Sequence, residues 1–229
     1  MSSPSALFPP GHPGVLSAVS EHPRRRGRYR VRLVDTRVLL VDAETVAGLP
    51  SLQSGTPLDA ERMLALEANA RYVACYDRAL GALARARRAR RELAQRLRRH
   101  EPDTAVIERV LSRLAALGLL DDAAVAEAEV AARLRRGEGP ARVRQVLARK
   151  GVERTLVDAT LREVGAAEAI DERESCRAAA EKRLRSLRSL PALVQRRRLT
   201  AFLARRGFGA GVVHDVVREL LRGAVTGDD

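Results

Sequence analysis

At 229 residues the chain is long enough for a sizeable core, and its 45% hydrophobic content excludes wholesale disorder. Aromatic residues make up 3% and charged residues 31%, the balance of a helix-rich protein, and no run approaches the ~20 apolar residues that a membrane-spanning helix needs. A net charge of +13 and a pI near 11.2 point to an acidic partner, nucleic acid first and an anionic membrane or acidic protein second.

Residues 1–27 are expected to form a disordered basic leader ending in Arg24, Arg25 and Arg26, with no basic n-region and apolar core of the kind that marks a secretory signal. Order is expected from Arg28–Val34, where Tyr29, Val31 and Leu33 alternate with arginines in the period of a half-buried strand. A turn at Asp35-Thr36 and a second strand over Arg37–Val41 complete a hairpin. Asp42 can cap a short helix closed by Gly48. Residues 28–70 therefore read as a small α+β module, too small to bury much alone, that leans on the helices after it. From Asp59, an N-cap by residue type, a long helical pattern runs through Arg87 as one helix or two abutting ones.

Beyond it the chain repeats. Leu93, Leu97, Val106, Ile107, Leu111 and Leu114 match Val143, Leu147, Leu156, Val157, Leu161 and Val164 at an offset of 50. A further offset of 56 reaches Leu199, Leu203, Val212, Val213, Val217 and Leu220. Each unit reads as three helices, opening near Tyr72–Arg87, Asp122–Arg136 and Glu174–Leu187. The second helices are expected at Arg90–Arg99, Pro140–Lys150 and Ala192–Arg206, and the third at Asp103–Leu117, Glu153–Val164 and Ala210–Arg222. The fold class is mainly all-α: tandem three-helix repeats over 71–121, 122–170 and 171–223, elongated, followed by an acidic flexible tail at 224–229.

The basic residues follow the repeat. Lysine occurs only at Lys150 and Lys182, so nearly all the positive charge is arginine; genomic composition explains Arg over Lys but not the excess of bases over acids. The candidate contact residues for nucleic acid or a nucleoprotein filament are Arg87, Arg88, Arg91, Arg98 and Arg99 in the first unit, and Arg135, Arg136, Arg142, Arg144, Arg149 and Lys150 in the second. Arg196, Arg197, Arg198, Arg205 and Arg206 are their counterparts in the third. Part of the clustering stabilises helix C-termini, where one cation gains roughly 0.3–1 kcal/mol, but that role does not need a cluster. Arginine grips phosphate as a bidentate fork, and such contacts carry no sequence information. Tyr72, Tyr76, Phe202 and Phe208 are expected to fill core positions rather than to stack on bases.

No catalytic constellation emerges. His12, His22, His100 and His214 are scattered, no glycine precedes a lysine as a phosphate-cradling loop requires, and Asp121-Asp122 is accounted for as a helix cap. Cys75 and Cys176 are far apart and read as small buried residues. No enzyme, cofactor or metal is expected, and the location is expected to be cytoplasmic.

Gly118-Leu119-Leu120-Asp121-Asp122 with Ala126, then Gly139-Pro140, Arg142-Val143-Arg144-Gln145, Leu147 and Lys150-Gly151-Val152, resemble the signature of the bacterial RecX family, and Arg205-Arg206-Gly207-Phe208 resembles its last repeat. The resemblance extends from about Arg28 to Arg222. It implies tandem three-helix repeats behind a small N-terminal domain, and a modulator of the RecA recombinase that binds in the groove of the RecA–DNA filament and inhibits strand exchange, ATP hydrolysis and filament growth. Non-specific phosphate contacts with single- and double-stranded DNA, no membrane partner and a monomer are also expected. The match has two departures: in the first repeat, where the family's turn is similar to Lys-Gly-Phe, this chain has His100-Glu101-Pro102, and soon after the Asp121-Asp122 pair Val125 stands where an aromatic is usual. A free-standing DNA-binding or transcriptional regulatory protein remains the alternative, since a three-helix unit resembles a helix-turn-helix in outline.

Overall fold

The computed structural model describes residues 10–223; the tail expected at 224–229 and the start of the leader lie outside the described residues. The chain divides into two compact units, Met1–Ala86 with Leu93–Leu119, and Arg87–Glu92 with Leu120–Asp229. The fold is mainly α, with three three-helix repeats behind a small strand module.

The first unit opens with β1 (Gly14–Glu21), β2 (Arg28–Leu33) and β3 (Val38–Asp42), then α1 (Ala43–Ala47), β4 (Pro57–Leu58) and α2 (Ala60–Leu83). The antiparallel sheet has the order β3-β2-β1-β4. Leu16, Val31, Leu33 and Val41 point inward and pack with Leu58, Met63 and Leu66 as one apolar cluster. The expected disordered leader is corrected over Gly14–Glu21, which pairs with β2 as Leu16↔Leu33 and Val19↔Val31. A register shift between Leu16 and Ala18 hides the strand, because the extra Ser17 breaks the two-residue alternation by which a half-buried strand is recognised. The Arg24–Arg26 run is thereby the turn of a hairpin rather than the end of a free leader.

Asp42 caps α1 by accepting the Thr45 N–H at 2.9 Å, and Asp59 caps α2 by accepting that of Arg62 at 2.9 Å. α2 is a single helix that stops at Leu83, short of the expected Arg87. Tyr72 and Tyr76 of this helix are half-buried rather than in the core: the rings stack with centroids 5.9 Å apart, Arg109 lies over Tyr72 at 4.4 Å and Arg28 over Tyr76 at 5.6 Å. Leu93 and Leu97 of α3 (Arg90–Leu97) and Ile107, Val110, Leu111 and Leu114 of α4 (Thr104–Ala116) are buried.

The second unit holds α5 (Asp122–Arg135), α6 (Pro140–Lys150), α7 (Arg154–Ala167), α8 (Glu172–Arg185), α9 (Ala192–Arg206) and α10 (Ala210–Gly223). One core gathers Val125, Val130, Val143, Leu147, Val157 and Leu161; another gathers Cys176, Leu187, Leu199, Leu203, Phe208 and Val216. Helix α8 begins two residues before the expected Glu174, because Asp171 accepts the Glu174 N–H at 2.8 Å and so caps the helix from further out. Of the repeated apolar positions, Val106, Leu156, Val212 and Leu220 are half-buried and all the others are buried. The offsets of 50 and 56 thus select inward-facing positions in every repeat, which is what a common three-helix unit requires.

Candidate nucleic-acid interface

The geometry rests on how the second helices end. In α6 and α9 the closing residues Gly151 and Gly207 take φ of 79° and 87°, the left-handed conformation that a β-carbon disfavours. The end of α9 abuts the start of α6: the N–H groups of Gly139 and Ala141 donate to the carbonyls of Arg206 at 2.8 Å and Gly207 at 3.0 Å. Orphan donors of one helix thereby satisfy orphan acceptors of another, and the two dipoles join in the favourable sense. The end of α6 makes a comparable approach to the start of α3, since a β-carbon on Gly151 would lie 2.4 Å from Cβ of Arg91. Asp122 fixes that start by accepting the Arg90 N–H at 2.7 Å.

Each approach collects cations. Arg205 is exposed two residues before Gly207, and Gly207 touches the backbone of Arg142. Arg149 is exposed two residues before Gly151, and the stem of Arg91 covers that glycine. Along α6, Arg142 and Arg149 are seven residues apart, as Arg198 and Arg205 are along α9, so each pair shares a helix face about 10.5 Å apart.

The candidate cations fall into two groups. Arg87, Arg91, Arg98, Arg99, Arg136, Arg149, Arg196, Arg197, Arg198 and Arg205 are exposed, and among the described residues no carboxylate pairs with them. Arg142 bonds the neutral Gln145 at 2.7 Å and keeps its charge uncompensated. The others are committed within the fold. Arg88 pairs with Glu92, Arg135 with Glu168 at 2.6 Å, Arg144 with Asp158 at 2.6 Å and Lys150 with Glu129 at 2.8 Å. Arg135 holds the Glu168 carboxyl below the usual carboxylate range, and Arg144 does the same for Asp158. Arg206 turns inward, its Nη1 donating to the carbonyls of Gly137 at 3.0 Å and Arg136 at 3.3 Å with the guanidinium 5.2 Å over the Phe202 ring. It ties α9 to the end of α5.

Two parts of this arrangement are not apparent from the sequence. Gly139 reads there only as a helix start, although its backbone is half of the α6–α9 contact. The signal is a glycine where Ser, Asp or Asn would cap better. Asp122 reads as a cap for its own helix, whereas Asp121 does that by accepting the N–H groups of Ala123 and Ala124 and Asp122 serves α3. Two consecutive aspartates where one suffices are the available sign. Among the described residues no group of three His, Cys, Asp or Glu could hold a metal ion, and no helix is long and apolar enough to cross a membrane.

Three-helix repeats whose second helices meet through glycine-closed ends, with unpaired arginines at each meeting point, define a basic helical-repeat protein. Models of the first, second and third three-helix domains of RecX match residues 75–114, 121–161 and 171–217. The chain is 40% identical over 150 residues to the regulatory protein RecX of Halorhodospira halophila, covering 64% of this chain and 88% of that one. It is 40% identical over 141 residues to that of Thermobifida fusca, covering 61% and 74%. The chain belongs to the RecX family of regulatory proteins. A crystal structure of regulatory protein RecX has the same fold at a TM-score of 0.67 and 23% identity, covering 90% of this chain and 98% of that one. The crystal structure of RecX from Lactobacillus salivarius matches at 0.55 and 21%, covering 66% and 96%.

Proposed function

We propose that this protein is a non-enzymatic modulator, in the inhibitory direction, of the RecA recombinase. In this reading it acts in the cytoplasm as a monomer, binds in the groove of the RecA–DNA filament and impedes strand exchange, ATP hydrolysis and filament extension. The three repeats, divided at 71–121, 122–170 and 171–223, would each contribute contacts. The observation that carries the proposal, beside the family, is the recurrence of unpaired arginines where successive second helices meet: Arg205 with Arg142, and Arg149 with Arg91.

Several weak phosphate contacts in series on one chain become strong through effective concentration, and a body that bridges neighbouring protomers obstructs both the incoming duplex and the cooperative steps of hydrolysis. Backbone contacts of this kind need no base sequence, which suits a partner that assembles on any DNA. The test is RecA ATPase and strand exchange on single-stranded DNA with substoichiometric protein. Inhibition of both is the expected result, and no effect on either overturns the reading. Tight operator binding that survives high salt, with no effect on the recombinase, would instead identify a free-standing DNA-binding or transcriptional regulator.

A further inference from the structure

The strand module carries a second basic surface that the repeats do not account for. In the four-stranded sheet, β2 is an interior strand, flanked by β1 and β3. Its Tyr29, Val31 and Leu33 belong to the apolar cluster under the sheet, so Arg30 and Arg32 lie on the opposite face. Their cross-strand partners are Ser20 and Leu40 for Arg30, and Ala18 and Val38 for Arg32. None of these neighbours is acidic, and cross-strand carboxylates are the usual means of compensating such a row.

The β1–β2 turn adds Arg24 and Arg26 at one end of the same hairpin, both exposed. Of the nearby carboxylates, Asp77 is committed to Arg25 at 2.8 Å and Arg28 at 3.0 Å, while Glu21 accepts the neutral Gly27 N–H at 3.4 Å and offsets at most one of these charges. Among the described residues no carboxylate pairs with Arg24, Arg26, Arg30 or Arg32. The local field is felt by His22, whose imidazole pKa is lowered by desolvation first and then by repulsion from Arg30, Arg25 and Arg24.

A ladder-bonded interior strand holds its side chains in fixed rows, with Arg30 and Arg32 about 6.7 Å apart along the chain. Such a row presents spaced forks to a chain of phosphates. An anionic bilayer would be better served by aromatic side chains at the headgroup boundary, and the cross-strand neighbours on this face, Ala18, Ser20, Val38 and Leu40, include none. We propose that the outer face of the N-terminal sheet, with the Arg24–Arg26 turn, is a second site for a nucleic-acid backbone. It is separate from the arginines of the second helices and reads no base sequence.

The test uses the full chain and no recombinase, so it is independent of the RecA reading. Binding of a 5′-fluorescein-labelled oligothymidylate is followed by anisotropy across a salt series. Two variants are compared: Arg24→Gln/Arg26→Gln/Arg30→Gln/Arg32→Gln on the sheet, and Arg196→Gln/Arg197→Gln/Arg198→Gln/Arg205→Gln on α9. The sheet variant is expected to bind roughly tenfold more weakly at low salt, with a log–log salt slope shallower by about 2.8, since each of the four single-strand phosphates no longer neutralised contributes about 0.7 to that slope.

The turn variant Arg24→Gln/Arg26→Gln leaves the strands intact and is expected to show about half that change, which decides the matter if the strand substitutions unfold the module. Unchanged affinity and slope in the folded variants overturns the proposal. So does loss of binding to phosphatidylserine vesicles with oligonucleotide binding preserved, which would assign the face to a membrane surface.

Discussion

Gly139 and Gly207 meet backbone to backbone: a β-carbon on Gly139 would lie 2.3 Å from the carbonyl oxygen of Gly207, and one on Gly207 would lie 2.3 Å from the amide nitrogen of Arg142. Neither clash can be relieved by rotating a side chain, because the opposing atoms are backbone. Gly139→Ala must therefore push α6 and α9 apart and break the two N–H to carbonyl bonds between them. Overpacking of this kind costs about 1–3 kcal/mol, and the broken bonds add roughly 1 kcal/mol. Gly207→Ala carries the further strain of φ at 87°. Thermal unfolding of both variants should show a midpoint lowered by roughly 5 °C or more, with Gly207→Ala the worse. Midpoints equal to the parent's would mean that the two helix ends do not touch.

The division between paired and unpaired cations makes a prediction that charge counting does not. Arg198 and Arg205 are exposed without a carboxylate partner, whereas Arg135 and Arg144 already satisfy Glu168 and Asp158. For a paired arginine to grip phosphate it must first release its carboxylate, which then repels the same phosphate. Arg198→Gln/Arg205→Gln should make the log–log salt slope for single-stranded DNA shallower by about 1.4, and Arg135→Gln/Arg144→Gln by less than half of that. Equal changes in the two double variants would show that the ion pairs give way on binding.

The three-helix repeats were legible because burial at equivalent positions forces apolar residues to recur together from unit to unit, and Val143, Leu147 and their counterparts Leu199 and Leu203 obey it. The strand at Gly14–Glu21 was not, since the irregularity at Ser17 shifts its inward side chains by one position midway. In the candidate interface the arginines themselves were legible, but their commitments were not. Arg133 with Glu129 is a pair that helical spacing announces, while Arg135 with Glu168 and Arg144 with Asp158 join separate helices and become neighbours only after packing. Arg206 illustrates the same point, since its partners are the carbonyls of Gly137 and Arg136, which carry no side-chain signature at all.

The first repeat closes its second helix differently, with a measurable consequence. Glu101 occupies the place of Gly151 and Gly207, yet it is 6% exposed, pairs with Arg71 and accepts the Asp103 N–H at 3.0 Å. Its φ is not in the left-handed region, so glycine has no conformational advantage there. By repeat logic Glu101→Gly restores the common closure and should be harmless. By the geometry it removes a buried carboxylate's bonds and adds backbone freedom to the unfolded chain, for a destabilisation of about 1–3 kcal/mol. Chemical denaturation should find the variant less stable and Glu101→Gln intermediate, because the amide can keep one acceptor. A Glu101→Gly variant as stable as the parent contradicts the geometry.

The two cysteines supply one reporter for each unit, Cys75 in the first and Cys176 in the second. Cys75 is 1% exposed and Cys176 0%, and burial pushes each thiol up to about 11. At pH 8 only about one thiol in a thousand would be ionised even if it were reachable, and the thiolate is the reactive form. Both cysteines should therefore resist iodoacetamide in the native protein and react only through opening of the surrounding core. Because the first thiol packs within α2 and the second within the core that holds Leu199 and Phe208, their labelling should respond to different substitutions. Gly207→Ala, at the end of α9, should speed modification of Cys176 severalfold and leave Cys75 unchanged, whereas Glu101→Gly should do the reverse. Mass spectrometry of the labelled peptides over time reads both rates in one sample, and acceleration of both cysteines by either single variant would show that the two units open together.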